Sequence, residues 1–236
     1  MTNEKNQLTI LGVAAHPDDL DFSASGTFAK WVKEGYDCYY LIATDGSKGS
    51  DDPKMTREKL ITLRKKEQKD AAKILGIKDV FFLNHTDTQL VADLTLKKEI
   101  VRFIRKLKPD IVVTLDPTFV YSKVRGFINH TDHRAAGQAA MDAVFPLARD
   151  RLTFQELERE GLTPHKVKML YLTNFDDPTD IVNISDTIDI KIRALKAHKT
   201  QVTEKAIARI KKWSRVLGKK KGYQFAEGFV KLTLPA

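Results

Sequence analysis

An α/β fold, with a mostly parallel sheet and helices on both faces in a single domain, is what this sequence predicts. Three observations carry the prediction. Short apolar, β-rich runs alternate with stretches of helical period along most of the chain. The strand-like runs 8–15 and 110–115 are largely apolar, as strands covered on both faces must be. At 236 residues, with 42% hydrophobic and 30% charged residues, the chain suffices for one large core. Residues 1–236 therefore read as one domain, with 1–7 as a polar, flexible N-terminus.

The first strand is expected over 8–15 (LTILGVAA), ending at His16-Pro17 because proline discourages continuation. A helix over 25–34 closes at Gly35, and a second strand over 36–43 runs into the polar, glycine-bearing loop 44–53. Leu60, Leu63, Glu67, Ala71 and Leu75 mark a helix over 56–75 that stops at Gly76. Strand 80–83, helix 94–107 before Pro109, strand 110–115 and a helix over 132–145 continue the alternation. Beyond it, 167–173 and 181–184 look like strands, 186–216 mostly like helix and 225–234 like a closing strand. Ligands of open parallel sheets bind beyond the carboxyl ends of the strands, and His16, Thr44, His85 and Asp116 all fall there.

The formal charge of +9 invites a nucleic-acid or membrane-surface reading. Much of the basic excess lies within 191–221, where Lys211-Lys212-Trp213 and Lys219-Lys220-Lys221 sit on or beyond an amphipathic stretch. No recognition-helix or aromatic-interleaved strand pattern accompanies it, so a solvated basic face is expected and no specific nucleic acid. No run approaches a membrane span. The single cysteine, Cys38, excludes an intramolecular disulfide and suits the reducing cytoplasm as a buried thiol.

His16-Pro17-Asp18-Asp19 sets an imidazole and two carboxylates directly after the first strand. A zinc-like ion takes nitrogen and oxygen ligands and, in a catalytic site, keeps one position for water. His16 and one aspartate supply two ligands, and the other aspartate is left beside the water as a general base. His130-Thr131-Asp132-His133 is the one other close histidine pair, and three of the six histidines lie in these two segments. One of that pair would bind metal while the other donates to a developing oxyanion.

These residues resemble the PIG-L/LmbE-like deacetylase family. The resemblance rests on Ala-His-Pro-Asp-Asp at 15–19 with Gly26-Thr27, and on His-Thr-Asp-His-Arg-Ala-Ala-Gly at 130–137. Thr44-Asp45-Gly46, Arg64 with Glu67, Ala71, Leu75 and Gly76, the run 109–113, and His198-Lys199-Thr200-Gln201 extend it over nearly the whole chain. It implies a Rossmann-like fold and a zinc-dependent hydrolase that removes an N-acetyl or similar acyl group from an amino sugar or small glycoside, with Fe²⁺ as the alternative ion in the cell. Carried over, His16, Asp19 and His133 bind the metal, Asp18 is the general base and His130 serves the oxyanion or the leaving amine. Arg64 and Asp87 match positions near the sugar, His85 in the loop 84–89 is a further candidate substrate contact, and Asp132 would orient one of its neighbouring histidines. Arg64 has a local alternative partner in Glu67 on its own helix.

The chain departs from the family pattern with Thr131 where relatives usually carry proline, and with Ile128-Asn129 where some carry tyrosine. Rival readings are a zinc amidase acting on a larger sugar conjugate, a metal-dependent sugar-nucleotide enzyme and a basic nucleic-acid-binding module. The histidines count against the second, since magnesium prefers oxygen and water. A homo-oligomer stays compatible with every feature above.

Overall fold

The computed structural model describes residues 7–123 and 125–235, so most of the segment expected to be a flexible N-terminus lies outside the described residues. Strands β1 (Thr9–Ala14), β2 (Asp37–Thr44), β3 (Asp79–His85) and β4 (Ile111–Leu115) form before the chain midpoint, and β7 (Met169–Thr173), β8 (Asp180–Asn183) and β9 (Ala226–Thr233) after it. Between β4 and β7 a two-stranded hairpin, β5 (Tyr121–Ser122) and β6 (Phe127–Ile128), stands apart from the main sheet. The seven main strands are ordered β3-β2-β1-β4-β7-β9-β8. The first five run parallel, and β9 is antiparallel to both β7 and β8.

The chain builds outward from β1 in one direction through β2 and β3, then returns to build the other way through β4 and β7. The carboxyl ends of β1 and β4 therefore flank a topological switch point, the place where a crevice opens in such sheets. Helices α1 (Asp19–Ser23), α2 (Ser25–Lys33), α3 (Arg57–Leu75), α4 (Leu94–Leu107), α5 (Thr131–Asp142), α6 (Gln155–Arg159), α7 (Ile188–Ala197) and α8 (Glu204–Lys219) complete the layers. Leu11, Val13 and Val112 point to the face covered by Leu96, Ile100 and Ile104 of α4 and by the alanines of α5. Ile10, Ile42 and Val113 point to the opposite face, against Phe28 of α2 and Ala71 and Leu75 of α3.

Local chemistry sets several boundaries. The Thr56 hydroxyl caps α3 by accepting from Lys59 N, and Gly76 ends it at φ 80, a left-handed conformation that glycine adopts without a side-chain clash. Asp93 caps α4 through Leu96 N. The helical stretch expected over 186–216 is two helices separated by the segment 198–203, with Thr203 capping the second. The helix expected over 132–145 stops being α-helical at Asp142 and continues as a wider turn containing Pro146, whose missing N–H cannot extend the ladder.

The expected solvated basic face needs one correction. Lys191 is 1% exposed, with Nζ 2.6 Å from Glu227 Oε1 and 2.7 Å from Phe22 O. The Glu227 carboxylate in turn accepts from Gly26 N and from Thr27 N and Oγ1 at the start of α2. A helix amino terminus and a lysine thus share one buried acceptor, which places the charge where a partner already waits.

Candidate metal centre and active site

The loop after β1 carries His16, Asp18 and Asp19 to the switch point, and α5 brings the second pair of histidines. Helix α5 lies close against the end of β4 because residue 137 is glycine: a Cβ there would come 2.2 Å from Leu115 O. His130 is the N-cap residue of α5 and His133 is in its first turn. The His16 ring centroid consequently lies 4.8 Å from that of His130 and 5.2 Å from that of His133.

Hydrogen-bond partners assign the tautomers. The Asn129 amide donates through Nδ2 to Phe119 O, so its Oδ1 faces His133 Nδ1 at 3.0 Å and that nitrogen must be the donor. His133 Nε2 then presents a lone pair, and it points at Asp19 Oδ1 from 3.0 Å. His16 Nε2 faces two acceptors, Asp87 Oδ1 at 3.1 Å and Asp132 Oδ2 at 3.2 Å, so it carries hydrogen. Its Nδ1 lies 3.6 Å from Asp19 Oδ2. Two imidazole nitrogens aimed at the two oxygens of one carboxylate are repulsive unless a cation lies among them. That donor set, nitrogen and oxygen with both far nitrogens anchored, fits a divalent metal.

Electrostatics give the same picture. Burial pulls the His16 imidazole down, but Asp19, Asp132 and Asp87 overcome it and lift its pKa to about 12. Burial alone would raise Asp19, yet the His133 and His16 imidazoles hold it well below the usual carboxylate range. A proton on His16 thus takes part of the place that a bound ion would fill.

His130 differs from the other two. Its Nδ1 accepts from Asp132 N at 3.1 Å, which leaves the hydrogen of the neutral ring on Nε2. Burial and the neighbouring His16 and His133 lower its pKa, so the ring stays neutral with one donor to offer. His16, His130 and His133 have ligand atoms close enough to share an ion. With one nitrogen accepting and the other protonated, however, His130 has no lone pair left for a metal.

Asp18 has φ 100 and ψ −26, a backbone conformation that L residues rarely adopt and that is stored strain at functional sites. Gln68 Oε1 holds its N–H at 2.8 Å, and Arg64 donates to its Oδ2 at 3.2 Å and to Pro17 O at 2.7 Å. Burial lifts the Asp18 carboxyl to about 6, against the lowering pull of Arg64.

Several expected contacts have a different place. Arg64 is buried under the loop with bonds to Asp18, Pro17 O and Gly46 O, and Glu67 instead accepts from Thr200. Asp87 is buried against His16 and Lys48 N rather than lining open space, and its carboxyl is lowered to about 2: burial raises it, and the His16 bond more than reverses that. His85 is not part of the cluster, because Glu99 of α4 takes its Nε2 at 2.6 Å. Asp132 orients His16, not its neighbours His130 and His133, while accepting from Thr88 N and Leu90 N. Sequence alone assigns neither Asn129 nor Gln68 a role at the site. Asn129 precedes His133 by four residues across a helix start, a spacing that would have exposed it, whereas nothing in the sequence marks Gln68.

From Asp19 and His133 a cavity of about 890 Å³ opens outward past the β5–β6 hairpin to Trp213 of α8. No helix among the described residues is long and apolar enough to cross a membrane.

Comparison with known proteins agrees with this layout. The pattern of the PIG-L family, described as GlcNAc-PI de-N-acetylase, matches residues 11–144. The chain is 34% identical over 223 residues to a diacetylchitobiose deacetylase of Thermococcus kodakarensis, covering 93% of this chain and 81% of that protein. It is 30% identical to a probable N-acetyl-alpha-D-glucosaminyl L-malate deacetylase of Bacillus anthracis, covering 85% of this chain and 84% of that one. Among solved structures, the N,N'-diacetylchitobiose deacetylase of Pyrococcus horikoshii superposes with a TM-score of 0.89 at 27% identity, over 97% of this chain and 85% of that one.

Proposed function

The chain belongs to the PIG-L family of de-N-acetylases, and from that premise we propose that it is a zinc-dependent hydrolase removing an N-acetyl group from an amino sugar or small glycoside. One observation carries the reading: the outer nitrogens of His16 and His133 converge on the Asp19 carboxylate, directly beside a second, strained and buried carboxylate, Asp18. His16, Asp19 and His133 would hold the ion, and the same donors also suit Fe²⁺. When bound, zinc supplies a Lewis acid for the amide carbonyl and lowers the pKa of water toward about 7.

Asp18 takes the proton of the attacking water. A carboxyl poised near 6 is ionised at neutral pH yet basic enough for that transfer. Arg64 and Gln68 keep it in place through its side chain and its backbone. His130 donates from Nε2 to the oxygen on which negative charge develops, the kind of fixed donor that costs no reorganisation during reaction. Asp18 then returns that proton to the nitrogen as the C–N bond breaks, so that acetate and a free amine leave.

An amidase acting on a larger sugar conjugate is the second reading, favoured by a cavity of about 890 Å³. Two imidazole ligands argue against a magnesium-dependent sugar-nucleotide enzyme. The one seven-stranded sheet, to which strands from both halves of the chain contribute, supports one deacetylase domain, and the buried Cys38, whose thiol burial pushes up to about 12, suits a reducing cytoplasm. The test is acetate and amine release from N-acetylated sugars by zinc-loaded protein, beside acid and amine release from the same sugars carrying a larger N-acyl group. Stoichiometric release that chelator abolishes is expected; release of a larger acyl fragment without acetate would favour the amidase.

A further inference from the structure

The turn 198–200, between α7 and α8, reaches the active site through a buried histidine. His198 follows the last residue of α7, and its Nε2 lies 2.8 Å from Asp21 Oδ2 on α1, with both side chains fully buried. Gln68 of α3 donates from Nε2 to the same oxygen at 2.8 Å, while its Oε1 accepts from Asp18 N at 2.8 Å. Asp18 N has no other acceptor among the described residues, and Asp18 is the residue held at φ 100. Thr200 grips the neighbouring position on α3, donating from N and Oγ1 to Glu67. A continuous chain of hydrogen bonds thus runs from His198 through Asp21 and Gln68 to the backbone of Asp18.

We infer that Asp21 and His198 are positioning residues for the base, because they decide which way round the Gln68 amide lies. The inference rests on the deacetylase reading and deepens it. A primary amide is two-sided, with an acceptor on one side and donors on the other. Reversed, Gln68 would set its NH2 against Asp18 N–H and its oxygen against the Asp21 carboxylate, and both contacts would be repulsive. Asp21 prevents this by accepting from Gln68, and His198 fixes the carboxylate by donating to the same oxygen. The other oxygen, Asp21 Oδ1, is buried and has no partner among the described residues, so both donors depend on Oδ2. Correctly turned, Gln68 holds Asp18 in a costly backbone conformation whose relaxation would carry the carboxylate away from Arg64. A buried carboxylate–imidazole pair adds little to stability over apolar residues of like volume, so the contribution of this one is orientation.

The experiment replaces the pair as a whole. Asp21→Ala/His198→Leu keeps close to the native volume and strands no charge, so the fold should survive, and a thermal melt checks that. At wild-type zinc content, kcat for acetate release from N,N'-diacetylchitobiose should fall roughly 10- to 100-fold, the cost of a misplaced reacting group, with KM within about twofold. In an Asp18→Asn background the same substitutions should change kcat by less than about twofold, since the group they position is gone. Asp21→Asn, whose Oδ1 can accept from both His198 and Gln68, should keep kcat within about threefold of wild type. Hydrogen exchange at Asp18 N, followed by NMR, should quicken about tenfold or more in the paired variant and stay near wild type in Asp21→Asn. Should the paired variant not fold, Gln68→Met cuts the chain while leaving Asp21 and His198 together, and it carries the same measurements. Unchanged kcat, loss of zinc in its place, a loss that persists in full in the Asp18→Asn background, unchanged exchange at Asp18 N, or an Asp21→Asn as impaired as the paired variant overturns the inference. No acetate release from the wild type, with exchange at Asp18 N responding as stated, would overturn the deacetylase reading and leave Asp21 and His198 as the residues that hold Asp18.

Discussion

Replacing Asp132 by asparagine removes a charge from behind His16, a proposed metal ligand, without removing any of the proposed ligands. In the native chain Asp132 Oδ2 lies 3.2 Å from His16 Nε2 and accepts from Thr88 N at 2.6 Å, and Asp132 itself is fully buried. Loss of such a partner behind a histidine ligand lowers metal affinity about 10- to 100-fold, or roughly 1.4 to 2.7 kcal/mol. Asp87 Oδ1 still accepts from the same Nε2 at 3.1 Å, so the single variant should fall at the lower end, near tenfold. The double variant Asp87→Asn/Asp132→Asn leaves that N–H without a charged acceptor and should lose well over 100-fold, beyond the roughly 100-fold to which two independent tenfold losses multiply. Competition for zinc against a chromophoric chelator at fixed pH measures both. Asparagine keeps one carbonyl acceptor for Thr88 N, so the fold should survive, and a thermal melt checks that. Affinities within twofold of wild type for both single and double variants would refute the role given to these carboxylates.

Asp18→Asn should retain zinc while losing about 10²- to 10⁴-fold in turnover, the usual worth of a general base. In the wild type the base must be ionised, so kcat/KM should fall as pH drops through about 6, and the variant's residual rate should lack that limb. Steady-state acetate release across pH 4.5 to 8, with metal content measured in parallel, settles both points, and near-full turnover in the variant would remove Asp18 from the role. His130→Gln should cost about 10²- to 10³-fold in kcat, as for one lost oxyanion donor, with zinc content unchanged; loss of the metal instead would make His130 a ligand. Lys191→Met strands the buried Glu227 carboxylate between Gly26 N and Thr27 N, and urea unfolding should show about 3 to 5 kcal/mol less stability. A change under about 1 kcal/mol would mean that those two N–H groups and the Thr27 hydroxyl satisfy Glu227 without the lysine.

Much of the architecture was legible in the sequence, for identifiable reasons. Strands buried on both faces carry apolar runs, and Thr56, Gly76 and Asp93 mark helix ends by chemistry confined to one turn. Helix α4 occupies the expected residues 94–107 because both its cap and its periodicity are strong. The β5–β6 hairpin was invisible because two-residue strands carry no period, and the break between α7 and α8 because the apolar pattern continues across it. The same distinction governs the site. Strand-end placement brought His16 and the α5 histidines to one rim, but which imidazole each carboxylate supports depends on tertiary approach. Asp132 reaches past its own neighbours to His16, Asp87 turns inward to the same ring, and His85 is drawn away by Glu99 of α4. The burial of Lys191 likewise follows from Glu227, which is 36 residues away in the chain.

The central claim is that one cation, shared by His16, Asp19 and His133, makes the amide hydrolysable. It is tested most directly by titrating metal-free protein with zinc while following acetate release from N,N'-diacetylchitobiose. Activity should rise in proportion to zinc and reach its plateau at one equivalent per chain, with His133→Ala abolishing both binding and activity. Full acetate release from metal-free protein, or tight stoichiometric zinc binding that survives His133→Ala, would contradict the account.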